Sequence, residues 1–349
     1  MKTPIVIAYS GGLRSSVAIP WLADRYATDV VAVTLDVGQS TDLAEIRDRA
    51  LAAGAVRAHV IDARDEFARD FVWPTLRADA LSDGRYPIAT AISRPLIAKK
   101  LVEIAGIEGA SLVAHGAAGR DRARLQQPLR ALAGTLQSIA CADVMTAAHV
   151  VEYADRLGRA VPAPGDDRVD DNLWGRTTGR ATDDASQEAP DLLFRRTRGL
   201  AHAPTSPAVV EVCFDCGIPT AINGVAMTAV ELIDSLSTIA GEHGVGRFDR
   251  VKNRADGSRS RVLYEAPAAA VLHHARRELE RLTGTEDLNR FRPAIAAAYA
   301  GVLSRGDWFD RLREGLDAFV AATQAAVTGT VRVKLLQGAI HIVGRTLTP

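Results

Sequence analysis

Short apolar runs alternate with longer, helically periodic segments through the first half of the chain. The apolar runs predict strands at residues 5–8, 30–35, 58–61, 111–114 and 138–141. The periodic segments predict helices at 13–26, 42–53 and 91–105. This alternation predicts an α/β architecture, a parallel sheet with helices on both faces. Ligands of such sheets bind where the strands end, which is at residues 9–12, 36–39 and 115–119 here.

The pattern changes near residue 162, where VPAPGDD combines proline, glycine and acidic residues. We therefore predict two domains, 1–164 and 165–349. Residues 181–207 are polar and interrupted by prolines, which indicates an ordered but irregular segment. Beyond it, strands are predicted at 209–214, 331–335 and 340–343, and helices at 229–240, 267–282 and 309–327. The second domain is thus predicted to be α+β.

Composition and charge exclude several classes of protein. The 349 residues include 42 Lys plus Arg and 42 Asp plus Glu, so the basic excess typical of nucleic-acid-binding proteins is missing. The sequence has no apolar run near the roughly 18 residues of a membrane span, and the N-terminus does not resemble a signal peptide. Three cysteines are too few for a disulfide framework. We expect a cytoplasmic protein that binds small molecules.

The segment Ser10-Gly11-Gly12 lies between the first predicted strand and helix. Glycines let the backbone approach a ligand, and amide groups at a helix start attract anions. A tight strand–helix turn is the alternative explanation. The spacing matches neither GxGxxG nor GxxxxGK[ST].

Several blocks in one order make the chain similar to a known family. AYSGGLRSS resembles the pyrophosphate-binding loop of the N-type ATP pyrophosphatases, and residues 5–345 as a whole resemble argininosuccinate synthase. The blocks are VVAVTLDVGQ, YPIATAISRPLIAKKLVEIA, VAHGAAG, VDDNLWGR, HGVGRFDRVKNR, SRSRVLYEAP and VTGTVRVKL. The resemblance implies an adenine nucleotide alpha hydrolase-like domain followed by a synthetase-like domain. It also implies a reaction in which ATP adenylates the ureido oxygen of citrulline, and aspartate then displaces AMP.

The same resemblance implies two sets of site residues. The nucleotide set is Ala8, Tyr9, Ser10, Gly11, Gly12, Leu13, Ser15, Ser16, Leu35, His115, Gly116 and Gly119. The substrate set is Tyr86, Ala91, Ala118, Arg122, Ala123, Gln126, Arg168, Thr177, Lys252 and Tyr264.

Arg14 is the first departure from the family, which has Asp after SGGL, close to the phosphates and their metal. A guanidinium reverses the charge there. It either binds phosphate directly, in place of Mg²⁺, or blocks the metal that catalysis needs. The resemblance implies ATP and Mg²⁺ as cofactors, and Arg14 puts the expected Mg²⁺ in question. No metal-ligating residue is assigned.

The second departure affects the amino-acid substrates. The family's aspartate-binding Thr, Asn and Asp correspond to Ala118, Arg122 and Ala123, and its citrulline-binding Arg corresponds to Gln126. At the far end of the citrulline site, Arg168 replaces Ser, and Lys252 replaces a Glu that would pair with an ammonium. A cation at that position repels an ammonium. Tyr86, Thr177 and Tyr264 keep the family's hydrogen-bonding character.

Two further groups of residues leave alternatives open. A basic cluster of four arginines is either a solvated helix face or an anion site. Its members are Arg120, Arg122, Arg124 and Arg130. Cys213 and Cys216 form a lone CxxC that lacks the further ligands of a metal site. The family's C-terminal extension, which reaches neighbouring subunits, has no counterpart after Arg345. We expect a homo-oligomer. An assembly smaller than the family's tetramer, such as a dimer, is one alternative.

Three interpretations of the function follow. The first is an AMP-forming ligase with changed substrates, in which Arg14 and Arg120 act as catalytic residues by neutralising the leaving pyrophosphate. The second is an inactive relative that binds nucleotide or serves as a regulatory or partner subunit. The third is a genuine argininosuccinate synthase with displaced contacts. The pattern of departures favours the first.

Overall fold

The computed structural model describes residues 3–159, 168–180, 186–253 and 259–348. The strands are β1 Ile5–Ala8, β2 Val30–Asp36, β3 Arg57–Asp62, β4 Leu81–Ser82, β5 Tyr86–Pro87, β6 Leu112–His115, β7 Gln137–Ala140, β8 Arg168–Asn172, β9 Gly175–Arg180, β10 Ala208–Asp215, β11 Ile218–Ile222, β12 Val225–Ala226, β13 Arg247–Asn253, β14 Arg259–Glu265, β15 Gly329–Leu336 and β16 Ala339–Leu347. The helices are α1 Leu13–Tyr26, α2 Leu43–Ala52, α3 Arg64–Phe67, α4 Trp73–Arg77, α5 Ala89–Glu108, α6 Arg120–Leu132, α7 Cys141–Val144, α8 Ala147–Arg156, α9 Ala229–Glu242, α10 Pro267–Thr283, α11 Glu286–Arg305 and α12 Arg311–Gln324. No helix in these ranges is long and apolar enough to cross a membrane.

The chain forms two compact units. Unit 1 comprises Met1–Ala63, Ala91–Pro164 and Val302–Asp310, and unit 2 comprises Arg64–Thr90, Gly165–Gly301 and Arg311–Pro349. Segments of the two units therefore alternate along the chain. As a statement about folding domains, the division after residue 164 stays a prediction.

Unit 1 contains a parallel sheet with the strand order β3-β2-β1-β6-β7. The predicted parallel sheet is thus confirmed, because all five predicted strands join it. Continuous apolar runs bury β1 and β2 on both faces, as the sequence pattern indicated. Helix α1 covers the sheet with Val17, Trp21 and Leu22, and it continues through Pro20.

The order of the sheet reverses between β1 and β6. These strands are neighbours in the sheet, although 103 residues lie between the end of β1 at Ala8 and the start of β6 at Leu112. In sheets of this kind, loops that leave the two strands at such a reversal diverge and leave a crevice at the carboxyl edge, where ligands bind. Residues 9–12 and 115–119 lie at this edge. The fold therefore places two of the three predicted ligand-binding loops next to each other.

Unit 2 is built on antiparallel sheets, ordered β12-β11-β10-β15-β16 and β13-β14-β9-β8. The predicted strands near 209–214, 331–335 and 340–343 belong to the first sheet, against which α10 packs. The prediction missed the whole second sheet and helix α11. Charged and polar residues dominate β8, β9 and β13, so these strands lack the apolar alternation that marks a half-buried strand. Of the predicted irregular segment, residues 186–207 contain only two short 3₁₀ turns, and 181–185 lie outside the described residues.

Candidate functional site

The glycine-rich loop of unit 1 has a backbone shape that other residues would disturb. Gly11 has φ +74°, and a Cβ atom there would lie 2.9 Å from Cγ1 of the buried Ile46. Arg49 of α2 stabilises the turn, since its Nη1 donates to the Gly11 carbonyl oxygen at 3.0 Å. Gly12 is the N-cap of α1 with φ −71° and ψ 161°, and no side chain caps this helix end. Amide groups at the start of α1 are therefore available to an anion.

The hydroxyl groups of the loop are turned toward the protein. Ser15 and Ser16 are buried, and their hydroxyls donate to the Gly12 carbonyl oxygen at 2.9 and 3.1 Å. Ser16 also contacts the Tyr9 hydroxyl at 2.9 Å and accepts from Arg159 at 2.6 Å. Ser10 is exposed. In this conformation the Ser16 hydroxyl is occupied by protein partners, so its expected contact with phosphate stays a prediction.

Arg14 and Arg120 are exposed cations at the edge of the crevice. Arg14 lies in the first turn of α1 after β1, and Arg120 opens α6 after β6. Within the described ranges neither guanidinium makes an ion pair or hydrogen bond. Both are therefore free to contact an anion bound at the carboxyl ends of β1 and β6.

The other arginines of the predicted basic cluster are mostly engaged. Arg122 contacts both carboxylate oxygens of Asp143 at 2.6–2.7 Å. Arg124 donates to the Ser304 carbonyl oxygen at 3.0 Å and to Asp121 at 2.9 Å. The cluster does not converge as one anion site, because two of its four members already have acidic partners.

His115 ends β6 with its side chain almost completely buried. Neither ring nitrogen has a hydrogen-bond partner in the described part of the chain. Burial lowers the pKa of His115 to about 4, because the charged imidazolium loses its hydration. The imidazole is thus neutral at physiological pH, and the predicted role of His115 in lining the nucleotide site stays a prediction.

Other members of the predicted nucleotide set lie at the same edge of the sheet. Gly116 is half-buried and Gly119, with φ +58°, is exposed at the start of α6. Leu35 is buried, and its carbonyl oxygen accepts a hydrogen bond from Gln39 Nε2 at 2.7 Å. An adenine contact through that carbonyl would have to share it with Gln39.

The residues at the loop do not fit a divalent cation held by the protein. The first turn of α1 has no acidic residue, and Arg14 places a positive charge there. Asp121, in the first turn of α6, is bound by Arg94 and Arg124. No group of three or more His, Cys, Asp or Glu side chains with metal-binding geometry occurs among the residues that the structure describes. Hard cations require several oxygen ligands, so Mg²⁺ has no protein-built site here.

Unit 2 brings three members of the substrate set together, two on the second antiparallel sheet and Tyr86 on the β4–β5 hairpin. Thr177 of β9 pairs in register with Tyr264 of β14, which pairs with Phe248 of β13. The Tyr86 ring lies 5.7 Å from the Tyr264 ring and 6.1 Å from the Phe248 ring, centroid to centroid. The Thr177 hydroxyl is 3.4 Å from that of Thr90. We call Tyr86, Phe248 and Tyr264 the aromatic cluster.

Arg250 joins the aromatic cluster and was missed by the sequence analysis. Its guanidinium carbon lies 4.8 Å from the centre of the Tyr86 ring, and it forms an ion pair with Asp83. Strand alternation places residues 248 and 250 on one face, which is the signal that could have identified it once β13 was known to be a strand.

The remaining predicted substrate residues are dispersed. Ala91 is buried in α5, Ala118 is half-buried before α6, Ala123 is exposed on α6, and Gln126 is half-buried there. The backbone of Arg168 pairs with Gly179, and that of Lys252 with Ser260. The side chains of Arg168 and Lys252 lie outside the described part of the structure, so their predicted contacts are untested.

The chain is similar to argininosuccinate synthases over nearly its whole length. The family model for the arginosuccinate synthase N-terminal HUP domain matches residues 4–160, and that for the C-terminal domain matches residues 168–348. The protein is 43% identical to the argininosuccinate synthase of Dehalococcoides mccartyi strain 195 over 353 residues, 99% of this chain and 87% of that one. It is 45% identical to that of Symbiobacterium thermophilum (99% and 88%) and 45% to that of Rubrobacter xylanophilus (98% and 85%). These matches confirm the predicted nucleotide-binding fold class.

Proposed function

Because the chain belongs to the argininosuccinate synthase family, we propose that it is an ATP-dependent, AMP-forming carbon–nitrogen ligase whose two substrates differ from citrulline and aspartate. The observation that carries the proposal is a contrast within one chain. The glycine-rich loop keeps a backbone that only glycine fits at Gly11, whereas the positions that correspond to the family's amino-acid contacts are altered.

The altered positions have lost the chemistry that binds those amino acids. Ala118 and Ala123 carry no side-chain donor or acceptor, so they cannot replace the hydrogen bonds of Thr and Asp. Arg122 is held by Asp143, and Gln126 lacks the charge of an arginine. Leaving the polar groups of a bound amino acid unpaired in a desolvated site costs about 1–3 kcal/mol for each group. Several such losses together favour different substrates.

The proposed reaction has two steps. A carbonyl, ureido or carboxylate oxygen of the first substrate attacks the α-phosphorus of ATP, and the bond to pyrophosphate breaks. An amine then attacks the activated carbon, the carbon–oxygen bond to AMP breaks, and the amine releases a proton. Amide groups at the start of α1 bind phosphate oxygens, and Arg14 and Arg120 neutralise the pyrophosphate as it leaves.

Two alternatives have specific support. The identity of 43–45% to argininosuccinate synthases favours the ordinary reaction with citrulline and aspartate. The charge reversal at Arg14 favours an inactive relative that binds nucleotide.

Release of pyrophosphate and AMP from ATP tests all three functions. Purified protein is incubated with ATP and either citrulline plus aspartate or pools of amines, amino acids and carboxylates. We expect release that requires a member of the pools. Release with citrulline plus aspartate would identify an argininosuccinate synthase, and ATP binding without turnover in any mixture would identify an inactive relative. The Gly12→Ala variant controls for contaminating ATPases, since its loop can no longer approach phosphate closely.

A further inference from the structure

Arg250 occupies a position in the aromatic cluster that is more enclosed than a surface arginine. Its side chain is 13% exposed, although its ion-pair partner Asp83 is 62% exposed. Asp83 lies in the turn of the β4–β5 hairpin, where Asp83 and Gly84 both have positive φ, +56° and +66°. The hairpin also carries Tyr86. The Tyr86 ring therefore packs against the face of the guanidinium, and Asp83 binds one of its edges.

The ion pair leaves part of the guanidinium unused. Only Nη2 of Arg250 contacts Asp83, and the other nitrogens make no hydrogen bond within the described residues. These nitrogens are not completely buried, so they retain access to water or a ligand. An arginine has five N–H donors in a planar fork that matches a carboxylate or phosphate. Arg250 therefore has a fixed orientation and N–H donors that remain available to an anion.

The surroundings of Arg250 add positive charge. The guanidinium carbon of Arg85 lies 5.6 Å from the centre of the same Tyr86 ring, and Arg85 is exposed. Because Arg250 covers a face of Tyr86, a ligand ammonium cannot use that face for a cation–π contact and would be repelled by both arginines.

We propose that Arg250 and the aromatic cluster bind an anionic end group, a carboxylate or phosphate without a neighbouring ammonium, on the first substrate of the ligase. This inference rests on the proposed function and specifies the chemical class of its substrate. The aromatic rings provide apolar walls for the body of the substrate, and Arg250 donates two hydrogen bonds to its charged end.

Three ureas that differ only in their end group provide the test. They are pentylurea, which is neutral, 5-ureidopentanoate, which ends in a carboxylate, and citrulline, which adds an ammonium to that carboxylate. Binding is measured by calorimetry in the presence of a non-hydrolysable ATP analogue, and pyrophosphate release is measured with ATP. We expect 5-ureidopentanoate to bind at least tenfold more tightly than either other compound.

Variants separate recognition from folding. Arg250→Leu is expected to remove the preference for 5-ureidopentanoate, and Arg250→Lys to keep part of it. Asp83→Asn, which weakens the ion pair but keeps the guanidinium, controls for loss of the hairpin anchor and is expected to retain the preference. Melting temperatures show whether each variant is folded.

Equal binding of the three ureas, no measurable binding of 5-ureidopentanoate, or an unchanged preference in a folded Arg250→Leu variant would overturn the inference. If 5-ureidopentanoate binds preferentially but no urea promotes pyrophosphate release from ATP, the result would support the anion receptor and count against the ligase proposal. The two proposals can thus fail separately.

Discussion

Arg14 and Arg120 stand in the first turns of the two helices that follow neighbouring strands of the parallel sheet, and both guanidiniums are unpaired within the described residues. Basic residues in the first turn of a helix are unfavourable, since the helix dipole is positive there. An anionic ligand at this edge would compensate both charges. This relationship leads to the first prediction.

We expect the native protein to bind ATP without Mg²⁺, because Arg14 supplies positive charge next to the phosphates. The Arg14→Asp variant is expected to bind metal-free ATP about tenfold more weakly, a change of about 1.4 kcal/mol, and to recover affinity when Mg²⁺ is added. Calorimetry with EDTA or Mg²⁺ measures both effects.

Arg130 provides the matched control for Arg14. It is exposed in the last turn of α6, away from the start of that helix. Arg130→Asp is expected to leave ATP affinity nearly unchanged. If Arg14→Asp instead creates ATP turnover that the native protein lacks, the native loop is inactive and the ligase proposal is wrong.

The two glycines of the loop are expected to respond differently to alanine. Gly11→Ala forces a left-handed φ on alanine and pushes a methyl group against Ile46, which should lower the free energy of unfolding by about 1–3 kcal/mol. Gly12 has an extended backbone, and its added Cβ would meet only Ser10 Oγ at 3.5 Å. Gly12→Ala should therefore retain stability but lose ATP affinity.

Urea denaturation and calorimetry on both variants separate these effects. A stable Gly11→Ala protein would contradict the strained geometry of the loop. Unchanged ATP affinity in Gly12→Ala would show that phosphate does not approach the N-terminus of α1.

His115 predicts a dependence of stability on pH. An unfolded histidine takes up a proton near pH 6.5, whereas burial lowers the pKa of folded His115 to about 4. Between these values the unfolded state holds more protons, so stability falls as the pH drops from about 6.5 to 4. The loss amounts to about 3 kcal/mol over this window.

Replacing His115 with the non-titrating Leu is expected to flatten this part of the stability curve. Thermal unfolding between pH 4 and 7 measures the slope, and the difference from the native protein isolates His115 from other buried groups. His341→Gln, at an exposed position on β16, is the control and should leave the slope unchanged. Parallel curves for the native protein and His115→Leu would refute the prediction.

Two arginines of α6 test the structural interpretation of the basic cluster. Arg124→Ala removes hydrogen bonds to the Ser304 carbonyl and Asp121 and should lower the free energy of unfolding by about 2 kcal/mol. Burial opposes ionisation of Asp121, and Arg94 and Arg124 overcome it, so that its pKa is lowered in the native protein.

Arg122→Ala breaks an exposed pair with Asp143 and should lower the free energy of unfolding by less than about 1 kcal/mol. Denaturation curves distinguish these cases, and similar losses for both variants would contradict the assignment.

The nucleotide half of the site could be predicted because its signals are local. A buried apolar strand, two glycines and a helix follow one another within 26 residues, and the loop lies where the strand order requires it. Helix α1 has the predicted bounds despite Pro20. The inward rotation of Ser16 could not be predicted, because its partners Tyr9 and Arg159 are brought together only by the fold.

The substrate half depends on pairings between distant segments. Tyr86, Thr177 and Tyr264 were named from the family resemblance, but their common location results from register between β9 and β14 and from the hairpin of β4 and β5. Polar strands such as β13 hide their periodicity, so Arg250 carried no recognisable signal. The ion pair of Arg122 with Asp143 and the hydrogen bond from Arg124 to the Ser304 carbonyl oxygen also depend on tertiary contacts.

The hairpin that carries Tyr86 has one further consequence, for evolution. Its two strands have two residues each, and Arg250 and Asp83 fix it from outside any apolar core. The glycine-rich loop, by contrast, belongs to unit 1 and is constrained by the buried Ile46 of that same unit. Under the proposed function, exchanges at positions 83, 85 and 250 would change which end group is accepted while leaving the phosphate loop unaltered. Such separation would let a ligase of the proposed kind acquire new substrates while its activation chemistry is inherited unchanged.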